Sequence, residues 1–405
     1  MSGDGAGQAQ EVRLQPLEVD FARYRREVIF GCYKWDPQVG DVDTVCDHAC
    51  VLGPAVAARL ATWAEALAVE TCALEKALLE RADLYTALGL PRALHRLLAR
   101  GAGTGVRVMR FDFHPTVEGW ALSEVNSDVP GGFSEASALP RLAAQYVAGA
   151  AAQGDAGEML AAAVLRRLGG SGRIALVHAT SYADDRQVMQ FLAARLAAAG
   201  AEPVLAAPDH LRWHDGRASL IAEGGEGAVD GVVRFFPAEW LPGLPKRAGW
   251  QSYFDNDVVS CNHPRALLTQ SKRLPLLWDQ LGLALPAWRA LLPETRAPRA
   301  APWRRDSGWV IKPAFGRVGE GVAWRGLLPA REWRAIGLDS MVRPRAWIAQ
   351  RRFDSRPLAS RAGVRHLCIG AFTVDGQAAG FYGRLASRPR VDQHAQDIAV
   401  LVSES

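Results

Sequence analysis

The 405-residue sequence predicts a mixed α/β (α+β) protein, and three observations carry that expectation. Residues 54–100 space their apolar side chains by three and four, the pattern of amphipathic helix. Residues 171–262 alternate strand, helix and strand, which predicts a small doubly wound α/β domain. Residues 106–128 read as two strands joined by a tight turn.

The first stretch, ARLATWAEALAVETCALEKALLERA, predicts one long helix. LYTALGLPRALHRLLAR breaks at Gly89 and resumes after Pro91, a residue suited to a helix first turn. In the second stretch GRIALVHA is a buried strand, DDRQVMQFLAARLAAAG a helix ended by Gly200, and EPVLAAP a second strand. LRWHDGRASL reads as a hairpin about Asp215-Gly216, and DGVVRFFP as another strand. No G-x-G-x-x-G follows the first of these strands, so a dinucleotide site is not expected there. His178, at the end of that strand, reads as a structural histidine. The start, MSGDGAGQAQ, reads as a disordered tail over 1–12, and the string Gly101–Gly105 as a loop.

Composition excludes several function classes. With 47 Lys and Arg against 43 Asp and Glu, the net charge of +4 does not point to nucleic acid or an anionic membrane. No apolar run reaches the roughly 20 residues that span a bilayer. The start lacks a secretory signal, so a cytoplasmic protein is expected. Six cysteines do not make a disulfide framework. Cys46, His48 and Cys50, with Cys32 upstream, lack a second ligand pair at zinc spacing and read as buried free thiols. Only five basic residues are lysine (Lys34, Lys76, Lys246, Lys272 and Lys312), against 42 arginines. Where arginine is so common, a retained lysine marks a place that needs a compact ammonium.

The segment VRVMRFDFHPTVEGWALSEVNSD, 106–128, carries the most chemistry. Arg110 and Asp112 are two apart on one strand, and Glu124 and Asn126 two apart on the next, so each pair shares a face. A three-residue loop, Val117-Glu118-Gly119, sets Asp112 opposite Glu124 and Arg110 opposite Asn126; a bulge near the turn would shift the pairing by one. Two carboxylates and an amide oxygen then converge beside an arginine, a hard-oxygen set suited to Mg²⁺ with bound phosphates. The alternative is a solvated edge hairpin with ordinary ion pairs. His114 reads as a surface residue of this hairpin. PGGFSEASALPRLAAQ comes next, read as a helix with Ser134 as N-cap and with amides open to an anion.

Further on, a helix is expected around LLTQSKRLPLLWDQLG, carrying Lys272, then a Pro- and Arg-rich connector over 293–307. WVIKPAFGRVGEGVAW, 309–324, sets Lys312 at the end of an apolar strand before Gly316, Arg317, Gly319 and Gly321. Glycines allow backbone amides to approach phosphate oxygens, and Arg317 adds a charged fork. The strand WIAQRRF and the pair HLCIGAFTV and AAGFYGRLAS complete the chain's clear elements; Arg351-Arg352 reads as solvated.

Arg-x-Asp, eleven residues, Glu-x-Asn, a later lysine, then Lys-Pro-x-x-Gly-Arg-x-Gly resembles the synthetase part of the glutathionylspermidine synthase family. The resemblance implies an ATP-grasp fold in circularly permuted order. It divides the chain into an N-terminal helical segment (13–102), the Mg-binding hairpin and helix (103–150), a pre-ATP-grasp-like domain (170–262) and the ATP-grasp domain proper (263–405). It implies that Asp112, Glu124 and Asn126 match Mg²⁺ ligands and that Lys272 and Lys312 match the lysines on ATP phosphates. Arg110 matches an arginine that stabilises the phosphorylated intermediate, Arg317 the glycine-loop arginine, and Arg384 a late phosphate-side arginine. Gln350 falls on the hinge strand beside adenine, and Glu135 also echoes the family. Two segments depart from the pattern: the turn Ser127–Gly132 after Glu-x-Asn, and the ending VDQHAQDIAVLVSES.

The function so implied is ATP- and Mg-dependent ligation of a small-molecule or peptide carboxylate to an amine through an acyl phosphate. The alternatives are a catalytically silent binding module of the same fold and a small-molecule kinase.

Overall fold

The computed structural model describes residues 12–100, 105–222, 225–316, 319–360 and 363–404. The expected tail through residue 11, the glycine string at 101–104 and the candidate Arg317 lie outside the described residues.

A nine-stranded sheet forms the centre. Its main path runs Val12–Pro16, Val45–Leu52, Gln396–Ser403, Gln377–Ala386, Gly363–Val374, Val108–Thr116 and Gly119–Asn126. Ala150–Ala152 and Leu358–Ser360 pair beside two of these strands. Neighbours are antiparallel except Val45–Leu52 with Gln396–Ser403, which run parallel. The N-terminal segment read as helical therefore also supplies two strands. The reason is visible in VCDHACVL: seven of its eight residues are buried, too apolar to pair with solvent on either face.

The pleat sorts the two faces. Met109, Phe111 and Phe113 are fully buried in one cluster with Leu60, Ala64 and Leu67 of the helix Pro54–Leu79. Trp63 of that helix stacks on Phe113, ring centres 6.2 Å apart. Arg110 and Asp112, between these residues, point to the other side. The long helix starts at Pro54, whose missing N–H costs nothing in a first turn, and ends at Leu79. Beyond it come only 3-10 turns and the short helix His95–Leu98, so the helical reading to residue 100 holds in part.

The expected doubly wound unit is present as a four-stranded parallel sheet, ordered Val259–Cys261, Gly231–Arg234, Arg173–Val177, Glu202–Ala206. Helices Ala156–Leu168 and Ala183–Ala198 pack with it. The Asp215-Gly216 hairpin forms, with both residues at positive φ (46° and 75°). A smaller antiparallel sheet, Thr295–Arg296, Trp347–Arg351 and Trp309–Pro313, carries Lys312 and Gln350.

Two expected helices change. The segment around Lys272 is broken into the helix Leu267–Gln270, a 3-10 turn Leu274–Leu277 and the helix Trp278–Leu281. Pro275 cannot donate in a continuous helix, so Lys272 sits on the break. After the hairpin the helix begins only at Ala138, and Ser134 spends its hydroxyl on the Cys32 carbonyl instead of capping it.

Candidate active site

The hairpin pairs Arg110 with Asn126 and Asp112 with Glu124, the register expected from sequence. A bulge comes after Asp112, so the strands close over a two-residue turn, Val117-Glu118, with Gly119 at φ 134° opposite Thr116. The neighbouring strand places Gly370 opposite Asp112. A side chain at Gly370 would lie 2.7 Å from Arg110 Cδ, so this glycine lets the arginine lie flat across the sheet.

Arg110 donates from Nε and Nη2 to both Asp112 oxygens at 2.7 and 2.9 Å, and from Nη1 to the Gly131 carbonyl at 2.6 Å. The Tyr382 ring covers its guanidinium at 4.9 Å. Asn126 donates to Asp112 Oδ2 at 3.0 Å. Thus Gly131, read as an anion-binding amide, presents its carbonyl to an arginine.

Opposite stand the two lysines. Lys272 bridges Glu124 at 2.7 Å and the Gly316 carbonyl at 2.7 Å. Lys312 donates to Gln350 Oε1 at 2.7 Å, and Gln350 donates in turn to Thr295 Oγ1 at 3.0 Å. Burial pushes the Lys312 ammonium down to about 8, against the pull of Glu124. Burial pushes the Glu124 carboxyl up, but Lys272, Lys312 and Arg110 outweigh it and hold the group below its ordinary value. Arg384 donates to the carbonyls of Asp392 at 2.7 Å and Ala395 at 3.4 Å.

These groups line one cleft of about 810 Å³. Arg110, Asp112, Glu124, Asn126, Lys272, Lys312, Gly316, Gly319, Gln350 and Arg384 all face it. Gly321 does not: it turns at φ 67° against the Pro313 ring, where a side chain would sit 2.6 Å away. His114 is buried rather than on the surface, because Phe353 packs on its ring at 5.0 Å. Burial, then Lys312, push its imidazole down to about 3, so it is neutral at working pH. His178 does not line this cleft; it is buried and bonded through Nδ1 to the Leu176 carbonyl at 3.1 Å, with Nε2 unpartnered among the described residues. Arg351 and Arg352 are exposed at the cleft's rim, paired with Asp306 and Asp354 at 3.2 and 3.3 Å.

Sequence reasoning missed the far end of the cleft. There Lys34 Nζ lies between Glu135 (3.0 Å) and Asp397 (2.6 Å), and Tyr382 donates to Asp397 at 3.0 Å. The scarcity of lysine was a signal: three of the five lysines line this cleft. Also unread was the brace behind the departing turn. Asp128 is fully buried on Arg234, and Gln270 accepts from the amides of Ser127 and Asp128 at 2.7 and 2.9 Å.

The donor chemistry of the hairpin (two carboxylates and an amide on one face, beside two lysines) fits a hard divalent cation carrying phosphates.

The mixed α/β scaffold is an ATP-grasp-related fold of the synthetase-like class. The chain belongs to the glutathionylspermidine synthase preATP-grasp family, whose model matches residues 26–400. Among solved structures it is similar to a glutathione synthetase-like effector from Globodera pallida in its apo form, at TM-score 0.65 and 10% identity, covering 95% of this chain and 98% of that one. A second, a putative gamma-glutamylcysteine synthetase from Methylobacillus flagellatus, has TM-score 0.46 at 12% identity, covering 80% and 86%. No curated protein matches. No helix among the described residues is long and apolar enough to cross a membrane.

Proposed function

We propose that this protein is an ATP- and Mg²⁺-dependent carboxylate–amine ligase working through an acyl phosphate. The observation that carries the reading is the convergence of Asp112, Glu124 and Asn126, by sheet register, on the cleft that also holds Lys272 and Lys312. The order of these groups along the chain suits the circularly permuted arrangement.

In this reading Asp112, Glu124 and Asn126 hold Mg²⁺, which when bound would offset the charge of the nucleotide's phosphates. Lys272 and Lys312 bind phosphate oxygens, each exchanging a protein oxygen for a phosphate oxygen. Gln350, beside Lys312, borders the base. A substrate carboxylate oxygen attacks the γ-phosphorus as the bond to the β-phosphate bridge breaks, and ADP leaves. Arg110 and Arg384 stabilise the charge on the transferred group, with Arg317 given the same role. The amine nitrogen then forms the C–N bond, loses its proton, and inorganic phosphate departs. The glycine segment 316–321 keeps out water that would hydrolyse the acyl phosphate.

One observation favours a silent module instead. Both Asp112 oxygens are already held by Arg110, and Glu124 by Lys272, so the chain's own cations occupy the proposed ligands. Calorimetry of ATP binding with and without Mg²⁺, on wild type and Asp112→Asn, decides between them. Metal-dependent binding lost in the variant supports the ligase reading and leads to screening carboxylates and amines for ADP release. Binding that ignores both metal and mutation supports the silent module. A stable phosphorylated product without amide would mark a kinase.

A further inference from the structure

The strand Val45–Leu52 contains an irregularity, and three unlike donors lie close together beside it. Against Gln396–Ser403, Val45 pairs with Asp397 and Ala49 with Ala399. Four residues of one strand therefore span the step that two take on the other. In a regular strand Cys46 and His48 would share one face and Asp47 would point to the other. Burial keeps that alternation at residues 46–48, with Cys46 and His48 buried and Asp47 exposed. Even so, the ligand atoms of Cys46, Asp47 and His48 all lie within 4.8 Å of one another. His48 Nδ1 sits 2.5 Å from Asp47 Oδ1, and Cys46 Sγ 4.0 Å from the same oxygen.

We propose that Cys46, Asp47 and His48 form a binding site for a transition-metal dication of the Zn²⁺ class, separate from the cleft. The donors are thiolate, carboxylate and imidazole, the sulfur–nitrogen–oxygen mixture that zinc accepts and Mg²⁺ does not. Their separations bracket the roughly 3.5 Å between ligands on a tetrahedral zinc, so small side-chain rotations close the set. Charge balances: a thiolate and a carboxylate neutralise the dication without burying a net charge. On binding, the Cys46 thiol releases its proton, and the proton of the facing imidazole nitrogen moves to the other ring nitrogen. Cys46 and His48 are buried while Asp47 is exposed, so a fourth position opens to water on the Asp47 side. Cys50, four residues on, is fully buried in the apolar core and is the natural control.

The site has a structural consequence. It clamps the irregularity opposite Asp397, whose amide donates to the Thr44 carbonyl at 2.6 Å and whose carboxylate holds Lys34 in the cleft.

The test uses the full chain, stripped of metal and titrated with Co²⁺ as a spectroscopic probe, then with Zn²⁺ in competition. The expected result is a thiolate-to-cobalt charge-transfer band that saturates at one equivalent. The band persists in Cys50→Ser and disappears in Cys46→Ser. Asp47→Ala, a change at an exposed residue, weakens binding by about tenfold or more. Zn²⁺ raises the thermal midpoint of wild type and of Asp112→Asn alike, which separates this site from the Mg²⁺ reading of the cleft. Absence of the band in wild type overturns the proposal. So does a band retained in Cys46→Ser, or unchanged affinity in both Asp47→Ala and His48→Ala.

Discussion

The two sides of the cleft are built by different means. On the hairpin side, Val108–Thr116 has a strand on either hand, and Arg110 and Asn126 both hold Asp112 on one face of the pleat. On the glycine side, Lys312 lies on the strand Trp309–Pro313, which pairs with Trp347–Arg351 and, among the described residues, gains only a single bridge, Ile311 to Ala323, on its other side. Beyond this strand, a side chain at Gly319 would run into the Val391 carbonyl, and the Val322 carbonyl accepts from the Arg390 guanidinium at 3.4 Å. Charge on the first side lies inside the nine-stranded sheet; on the second, Lys312 lies on a three-stranded sheet that leads into the glycine segment and Lys272 on a break between short helices. A sheet presents charge without further ordering; a loop can close on a ligand and open again.

The sharpest break of that contrast is Asp112→Asn. It removes a carboxylate from the rigid side and leaves Arg110 buried without its ion-pair partner. Turnover, measured as ADP release once a substrate pair is found, is expected to fall on the order of 10²-fold or more. Nucleotide binding should lose its Mg²⁺ dependence, and thermal unfolding shows whether the sheet survives. Lys312→Ala acts on the loop side and is expected to weaken ATP by about 10- to 100-fold. Calorimetric affinity unchanged from wild type would remove Lys312 from the phosphate site.

Two glycine substitutions separate the regions more finely. Gly370→Ala forces Arg110 off the sheet, and overpacking there should cost about 1–3 kcal/mol of global stability. It is read as a lower midpoint in denaturant. Gly319→Ala imposes a Cβ at φ 68° against the Val391 carbonyl. Its cost of about 1–2 kcal/mol should fall on the loop alone, weakening nucleotide while leaving the global midpoint near wild type. A matching drop in both variants would mean that loop and sheet unfold as one unit.

This division also marks what the sequence could reveal. Arg110, Asp112, Glu124 and Asn126 were legible because a strand has period two and a hairpin fixes its own register. The bulge after Asp112 shifted only the turn. The cluster of Lys34, Glu135 and Asp397 was not legible, since it joins segments over a hundred residues apart through a sheet that no local pattern announces. The burial of His114 was hidden for the same reason, because Phe353 reaches it from a distant loop. The break at Lys272 was in plain view as Pro275, and apolar spacing alone passed over it.

The last expected effect is a pH dependence that belongs to Lys312. Burial lowers its folded value to about 8 from 10.5, so between those limits the unfolded chain binds more protons than the folded one. Stability from this group therefore rises with pH across that window, and the penalty of burying the ammonium is fully present below about pH 8. Nucleotide affinity should run the opposite way. It is flat below about pH 8, where Lys312 is charged, and declines above it by up to about tenfold per pH unit, since one proton must then be taken up on binding. His114, already neutral, adds nothing in this range. Lys312→Arg keeps its charge throughout and should abolish the alkaline decline, even if its planar fork binds less well. A decline that persists in that variant would assign the titration to another group and return Lys312 to a purely structural role.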